Sequence, residues 1–155
     1  MAQAYTLSEA RPKIQRYCAY RERSHKEVLQ KLRSYGLAET KVQALMAELI
    51  EQQFLNEERF ARAYARGKHR NNGWGWLKIK QGLQQHHLSE YVLQKAFGEL
   101  PQEEYQANLQ ALAQKQWRNQ RSLTPFQRRG KTAQYLIQRG YEPHLVWEVV
   151  KNLPE

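Results

Sequence analysis

The chain contains no aspartate; all 15 of its acidic residues are glutamates. That removes Ser-His-Asp triads, aspartate-based metal sites and the magnesium-holding aspartate of Walker-type nucleotide hydrolases. Cys18 is the only cysteine, so no intrachain disulfide can form and a reducing, cytoplasmic setting fits. No apolar run approaches the roughly eighteen residues that span a bilayer. Met1-Ala2-Gln3-Ala4-Tyr5 also lacks the basic start and apolar core of a secretory signal. Gly73-Trp74-Gly75 has neither the strand context nor the further glycine of a dinucleotide site, and no Gly-Lys-Ser/Thr follows it. The histidines (His25, His69, His86, His87, His144) show no ligand spacing; the adjacent His86 and His87 point about 100° apart on a helix. Cys18 has Arg16 and Arg21 nearby, which would favour a thiolate. It shares a helical stripe with Ile14 and Tyr17, however, and reads as a small core residue. Catalysis, a metal and a cofactor are all unexpected.

What is abundant is positive charge. Lys plus Arg number 25, giving a net charge of +10 and a pI of about 9.8. Mean hydropathy is −0.90, yet 41% of residues are hydrophobic and 11% aromatic, enough for small cores. The cations cluster. Between Glu58 and Glu90 lie Arg59, Arg62, Arg66, Lys68, Arg70, Lys78 and Lys80 with no acid; between Glu104 and Glu142 lie Lys115, Arg118, Arg121, Arg128, Arg129, Lys131 and Arg139, again with none. Surfaces of this kind attract polyanions, nucleic acid above all.

Local signals are helical throughout. Ser8 is a candidate N-cap for a helix to Tyr20, with Pro12 in its first turn. Ser24 and Glu27 form a capping-box pair, and Gly36 suits a left-handed stop. Val42, Leu45, Met46, Leu49 and Ile50 mark an amphipathic helix over Glu39–Gln52. Asn56 suits an N-cap for the stretch that follows. There Phe60, Ala63, Tyr64 and Gly67 fall on one stripe, and Arg59, Arg62 and Arg66 on its neighbour, facing outward. Pro101, Thr124-Pro125 with Gln127, and Pro143 mark three later helix starts.

The pattern repeats. Val28, Leu32, Leu37, Val42, Leu45, Met46 and Leu49 shifted by 51 positions become Ile79, Leu83, Leu88, Leu93, Ala96, Phe97 and Leu100. A further shift of 53 gives Thr132, Leu136, Tyr141, Val146, Val149, Val150 and Leu153. Gly36 maps to His87 and then to Gly140. Leu7–Tyr20, Glu57–Arg70 and Gln102–Trp117 read as the helix opening each copy. The expected fold is all-α: an elongated array of three tandem three-helix repeats over 1–54, 55–100 and 101–155. Units of about fifty residues bury little surface alone, so neighbours must stack or hinge.

The order Phe54-Leu55-Asn56-Glu57-Glu58-Arg59-Phe60-Ala61, then Ile79 to Leu88, then Arg128-Arg129-Gly130-Lys131 and Leu136-Ile137-Gln138-Arg139-Gly140-Tyr141 resembles RecX-type regulatory proteins. Arg23 to Leu32 is similar to that family's opening helix pair. The resemblance covers about residues 8 to 153. It implies three three-helix repeats and no catalytic centre. It further implies binding to RecA along the groove of the RecA–DNA filament, with suppression of ATP hydrolysis, strand exchange and co-protease activity. Where many members carry more arginines, this chain reads Asn71-Asn72-Gly73-Trp74-Gly75-Trp76, aromatic rather than basic.

On this reading the contact candidates are Arg59, Arg62, Arg66, Lys68, Arg70, Trp74, Lys78, Arg121, Arg128, Arg129 and Lys131, facing RecA carboxylates or DNA phosphates. Arginine serves both, because its planar fork pairs bidentately with either. Of the tryptophans, Trp76 and Trp117 read as wedges between helices, and Trp74 as the exposed one that could stack on a base. RecA, its DNA filament and, weakly, DNA itself are the expected partners of a monomer. One rival is a helix-turn-helix DNA reader, which would need a basic third helix in each repeat. Those helices instead carry Glu39, Lys41, Glu48 and Glu51; Glu90, Lys95 and Glu99; Glu148 and Lys151. The other rival is a basic helical adaptor for an acidic protein.

Overall fold

The structure, a computed structural model, describes residues 4–154. Among the described residues it holds nine helices and no strand. They are α1 (Leu7–Tyr20), α2 (His25–Ser34), α3 (Glu39–Glu51), α4 (Glu57–Asn72), α5 (Trp76–Gln84), α6 (Glu90–Phe97), α7 (Gln102–Asn119), α8 (Pro125–Gln138) and α9 (Pro143–Lys151). The extensive helix–helix contacts fall within α1–α3, within α4–α6 and within α7–α9. The fold is therefore an all-α series of three-helix units.

Caps explain most boundaries. Ser24 accepts from Glu27 N–H while the Glu27 carboxylate takes the Ser24 N–H, a complete capping box. Asn56 accepts from Arg59 N–H at 2.9 Å, and Thr124 from Gln127 N–H at 3.3 Å. At the start of α1 the cap is Thr6, boxed with Glu9, rather than Ser8. Threonine also caps, and the Thr6–Glu9 spacing completes a reciprocal pair that Ser8 has no partner for. Pro12 consequently lies inside α1, beyond its first turn. α4 runs on to Asn72, so its connection to α5 shrinks to Gly73-Trp74-Gly75. Gly36, His87 and Gly140, equivalent in the three units, all adopt positive φ (78°, 58° and 100°). The turn geometry is kept even where the glycine is not.

Every position of the aligned apolar stripes is buried or packed against a core except Phe97, which is 51% exposed. α6 ends at Phe97, whereas the equivalent Met46 sits inside α3; the ring turns outward and meets Trp76 edge-on at 5.0 Å. Ile50, expected on the α3 stripe, is 42% exposed for a similar reason, one residue before the helix end. On α4 the buried line is Phe60, Ala61, Ala65 and His69, while Ala63, Tyr64 and Gly67 are only half-buried. The stripe is thus rotated from the expected one, because a histidine completes it.

Two separate cores result. One, from Ala10 to Leu55, is built by α1–α3 and the residues just after α3. The other, from Phe60 to Val150, is shared by α4–α9. The last two units are joined by backbone: Gly75 N–H donates to Arg139 C=O at 2.8 Å and Leu77 N–H to Gly140 C=O at 2.9 Å. A Cβ on Gly75 would collide with the Gly140–Tyr141 peptide. Beneath this crossing, His69 donates from Nδ1 to Trp74 C=O at 2.9 Å and accepts at Nε2 from the Asn108 amide at 2.8 Å. Its ring stacks on Tyr105, whose hydroxyl accepts from Trp76 N–H and donates to Glu142. Burial pushes the Tyr141 phenol up to about 12 and the Cys18 thiol up to about 11, so both stay protonated at neutral pH.

Two substitutions test this architecture. Gly75→Ala is expected to cost about 2 kcal/mol by overpacking the crossing, read as a fall in the urea midpoint. His87→Gly is expected to add about 0.5–1 kcal/mol, because glycine adopts the left-handed turn without the Cβ penalty and loses more entropy in return. An unchanged or lowered midpoint for His87→Gly would refute the strain assigned to that turn.

Candidate functional site

The α4 arginines do not stand free. Arg59 Nε meets Glu22 Oε1 at 2.6 Å and also donates to Gln53 C=O at 2.9 Å. Arg62 bridges Glu58 (2.6 Å) and Glu99 (2.9 Å), Arg66 reaches the other Glu99 oxygen (3.0 Å), and Arg70 pairs with Glu104 (3.1 Å). The stretch is acid-free in sequence only; apart from Glu58, the carboxylates come from the α1–α2 connection, the turn after α6, and α7. Hydrogen bonds from Arg62 and Arg66 hold the Glu99 carboxyl below its ordinary value, and Arg70 does the same to Glu104. These guanidiniums remain 38–53% exposed. Each has five donors, so a spare edge is left for a second acid. Single exposed pairs contribute about 0–1 kcal/mol, and the row's larger effect is to fix how neighbouring elements sit.

A second group surrounds Trp74. Left-handed Gly73 ends α4 and aims Trp74 back along it, with Trp74 N–H donating to Lys68 C=O at 3.1 Å. The Lys68 ammonium lies 4.9 Å from the indole and that of Lys78, one turn into α5, lies 4.6 Å from it. Lys68 also faces Tyr64 at 5.5 Å. Arg139 closes the group: it donates to Asn72 C=O, and its guanidinium lies 5.7 Å from the Tyr135 ring. None of the ion pairs among the described residues engages Lys68, Lys78 or Arg139. The structure thus brings the expected Lys68, Trp74 and Lys78 together and adds Arg139. Its position beside Gly140, in the second acid-free interval, was the available signal. Trp74 itself is half-buried, packed against the shared core rather than fully exposed.

The third-unit candidates divide. Arg128 is structural: its Nε donates to Trp117 C=O at 2.8 Å and its guanidinium lies 3.9 Å over the buried Trp117 ring, closing the end of α7. Arg121 and Lys131 are exposed and enter none of the ion pairs. Arg129 lies beside Lys131 along one groove. Arg128, Arg129 and Lys131 precede Arg139 by 8 to 11 positions, about 12–17 Å along α8 at 1.5 Å per residue. The basic candidates therefore form separate patches, not one continuous row. Among the described residues no three of His, Cys and Glu converge as metal ligands, and no helix is long and apolar enough to cross a membrane.

Comparison with known proteins bears on this geometry directly. Residues 56–96 match the model of the second three-helix domain of RecX, and residues 102–150 that of the third. The chain belongs to the RecX family. A regulatory protein RecX of Streptococcus uberis is 28% identical over 137 residues, covering 88% of this chain and 52% of that protein. One of Halalkalibacterium halodurans is 27% identical over 138 residues, covering 89% and 52%. One of Vibrio parahaemolyticus is 33% identical over 101 residues, covering 65% and 64%. The chain thus spans about half the length of the first two relatives. The crystal structure of RecX from Lactobacillus salivarius superposes with a TM-score of 0.86 at 21% identity, over 95% of this chain and 96% of that one. A crystal structure of a regulatory protein RecX gives 0.80 at 23% identity, over 95% and 74%. At these identities the likeness concerns the fold.

The Glu99 node gives a test. Its carboxyl titrates below 4.5, so the stabilisation is present above that value and is lost as pH falls through the lower folded-state pKa. Glu99→Gln is expected to lower the urea midpoint at neutral pH. The difference from the parent should close as pH falls through the lowered folded-state pKa of Glu99, where the parent carboxyl also loses its charge. A gap that persists at low pH would show that shape, not charge, is what Glu99 supplies.

Proposed function

We propose that this chain is a non-enzymatic regulator that binds RecA in the cytoplasm and lies along the groove of the RecA–DNA filament. It thereby suppresses ATP hydrolysis, strand exchange and co-protease activity, and tempers DNA repair and recombination. The observation that carries this reading is the family match over residues 56–96 and 102–150. The charge supports it: a net +10 carried on separate patches suits a partner that presents carboxylate and phosphate together. Three-helix units in series offer contact points at intervals, so one chain can touch successive protomers and oppose their rearrangement. Within that surface, Lys68, Trp74 and Lys78, with Arg139, meet the filament first, because no carboxylate among the described residues pairs with their cations. Arg59, Arg62, Arg66 and Arg70 add their spare donors while keeping the units in register.

The test is the ATPase of RecA on single-stranded DNA, with this protein below stoichiometric amounts. Suppression is expected. Lys68→Glu with Lys78→Glu should raise the half-inhibitory concentration about ten-fold or more, since like-charge juxtaposition costs several kcal/mol. Arg59→Glu with Arg62→Glu should also weaken suppression, accompanied by a lower melting temperature from the broken pairs. No effect of the parent protein at any ratio removes the RecA reading. A marked preference for one duplex sequence would favour a DNA reader instead.

A further inference from the structure

The first half of α8 presents an exposed aromatic face. Phe126 is 83% exposed and, on α9, Trp147 is 49% exposed. Between these rings runs a groove of ≈ 430 Å³, bordered by Leu123, Gln127, Lys131 and Gln134. Gly130 lies along it, and a Cβ there would meet no atom within 4 Å, so the helix surface is open to close approach. The backbone that carries Phe126 is well defined: Thr124 caps α8 and Pro125 fixes its first turn. Trp147 is equally fixed, since Val146, Val149 and Val150 on the other side of α9 are buried in the shared core. Neither ring is needed to close that core.

We propose that this groove binds a short stretch of single-stranded nucleic acid, with bases stacked on Phe126 and Trp147. The proposal rests on the functional reading above only in that the chain meets nucleic acid. Aromatic rings that stand out of the surface offer faces to a base, whereas an aliphatic peptide anchor needs a closed pocket. Charge points the same way. No carboxylate borders the groove, and Glu148, next to Trp147, projects about 100° further round α9. Lys131 lines the groove, and the exposed Arg121 precedes the groove residue Leu123 by two positions, so a phosphate chain leaving the groove would meet positive charge. The Gln127 and Gln134 amides can each donate and accept towards base edges. A duplex would keep its bases stacked on one another, so the groove selects single strands.

The experiment uses the purified chain without RecA and a labelled 20-nucleotide oligothymidylate, read by fluorescence anisotropy over a salt series. The parent should bind it more tightly than a duplex of equal length. Phe126→Ala with Trp147→Ala should weaken single-strand binding about ten-fold or more. Duplex binding should stay unchanged, and the melting temperature should fall only modestly, because Phe126 is largely exposed, Trp147 half-exposed and neither belongs to the shared core. Lys131→Ala should reduce the slope of log affinity against log salt by about 0.7, one phosphate's share for a single strand. Equal binding of single strand and duplex by the parent overturns the proposal, as does full single-strand affinity in the double variant. If the double variant loses RecA suppression while single-strand affinity is intact, the groove holds protein and the proposal fails. Loss of single-strand affinity with RecA suppression retained supports it. A parent that binds no oligonucleotide sinks this site and leaves the RecA reading standing.

Discussion

Two backbone hydrogen bonds, from Gly75 to Arg139 and from Leu77 to Gly140, set the arrangement of everything after α3. They lock the α4–α5 connection onto the α8–α9 turn, and both sides carry glycine where the chains come closest. A Cβ at either place would hold the two segments apart. With them together, α4–α9 close over one core, and the buried His69 finds an acceptor and a donor within one ring. The same crossing brings Arg139, which meets Asn72 and Gly75, close to the segment whose Trp74 carries Lys78, although Lys78 and Arg139 are more than sixty residues apart in the sequence. This cationic group, which no ion pair among the described residues engages, is a by-product of how the last two units join.

The joint before α4 has a different chemistry. Across it Arg59 meets Glu22, His25 meets Glu57, Lys26 donates to Gln85 C=O and His86 meets Ser24. Among the described residues no apolar cluster spans it. Exposed pairs each contribute about 0–1 kcal/mol and weaken with salt. A shared core contributes about 25 cal/mol for every Å² of apolar surface removed from water, and salt does not screen it. The first unit is therefore held by a weaker and more adjustable joint than the other two hold between themselves. Desolvation of His86 against Phe60 and Tyr64 also pulls its pKa down. Part of this joint thus favours the neutral ring and loses that preference in acid.

Much of the fold was legible in the chain. Spacing at 28, 32, 42, 45 and 49 and its two echoes located the helices and most of the core, because burial selects apolar side chains at helical intervals. Phe97 failed because a pattern cannot show that α6 stops there. The α4 stripe was read through Ala63 and Gly67, and the true line ends in His69, since a satisfied buried imidazole looks polar in sequence. The site was less legible. Charge intervals along a chain do not report which glutamates fold back onto them, so the arginines of α4 read as open while Glu22, Glu99 and Glu104 occupy them. Phe126 and Trp147, the rings of the proposed groove, drew no reading from the sequence, because spacing does not show that their rings stand 83% and 49% exposed.

Having two cores instead of one imposes an order on biosynthesis. Ribosomes release a chain from its N-terminal side, and α1–α3 with Leu55 can complete their own core before α4 has emerged. α4–α6 have no such independence: Phe60, Ile79 and Leu93 belong to a cluster that is finished only by Val146, Val149 and Val150. For the time needed to synthesise the intervening segment, the middle unit must carry incomplete apolar surface. Seven cations between Glu58 and Glu90, on α4 and α5, give that unfinished unit a net charge that opposes association with other copies.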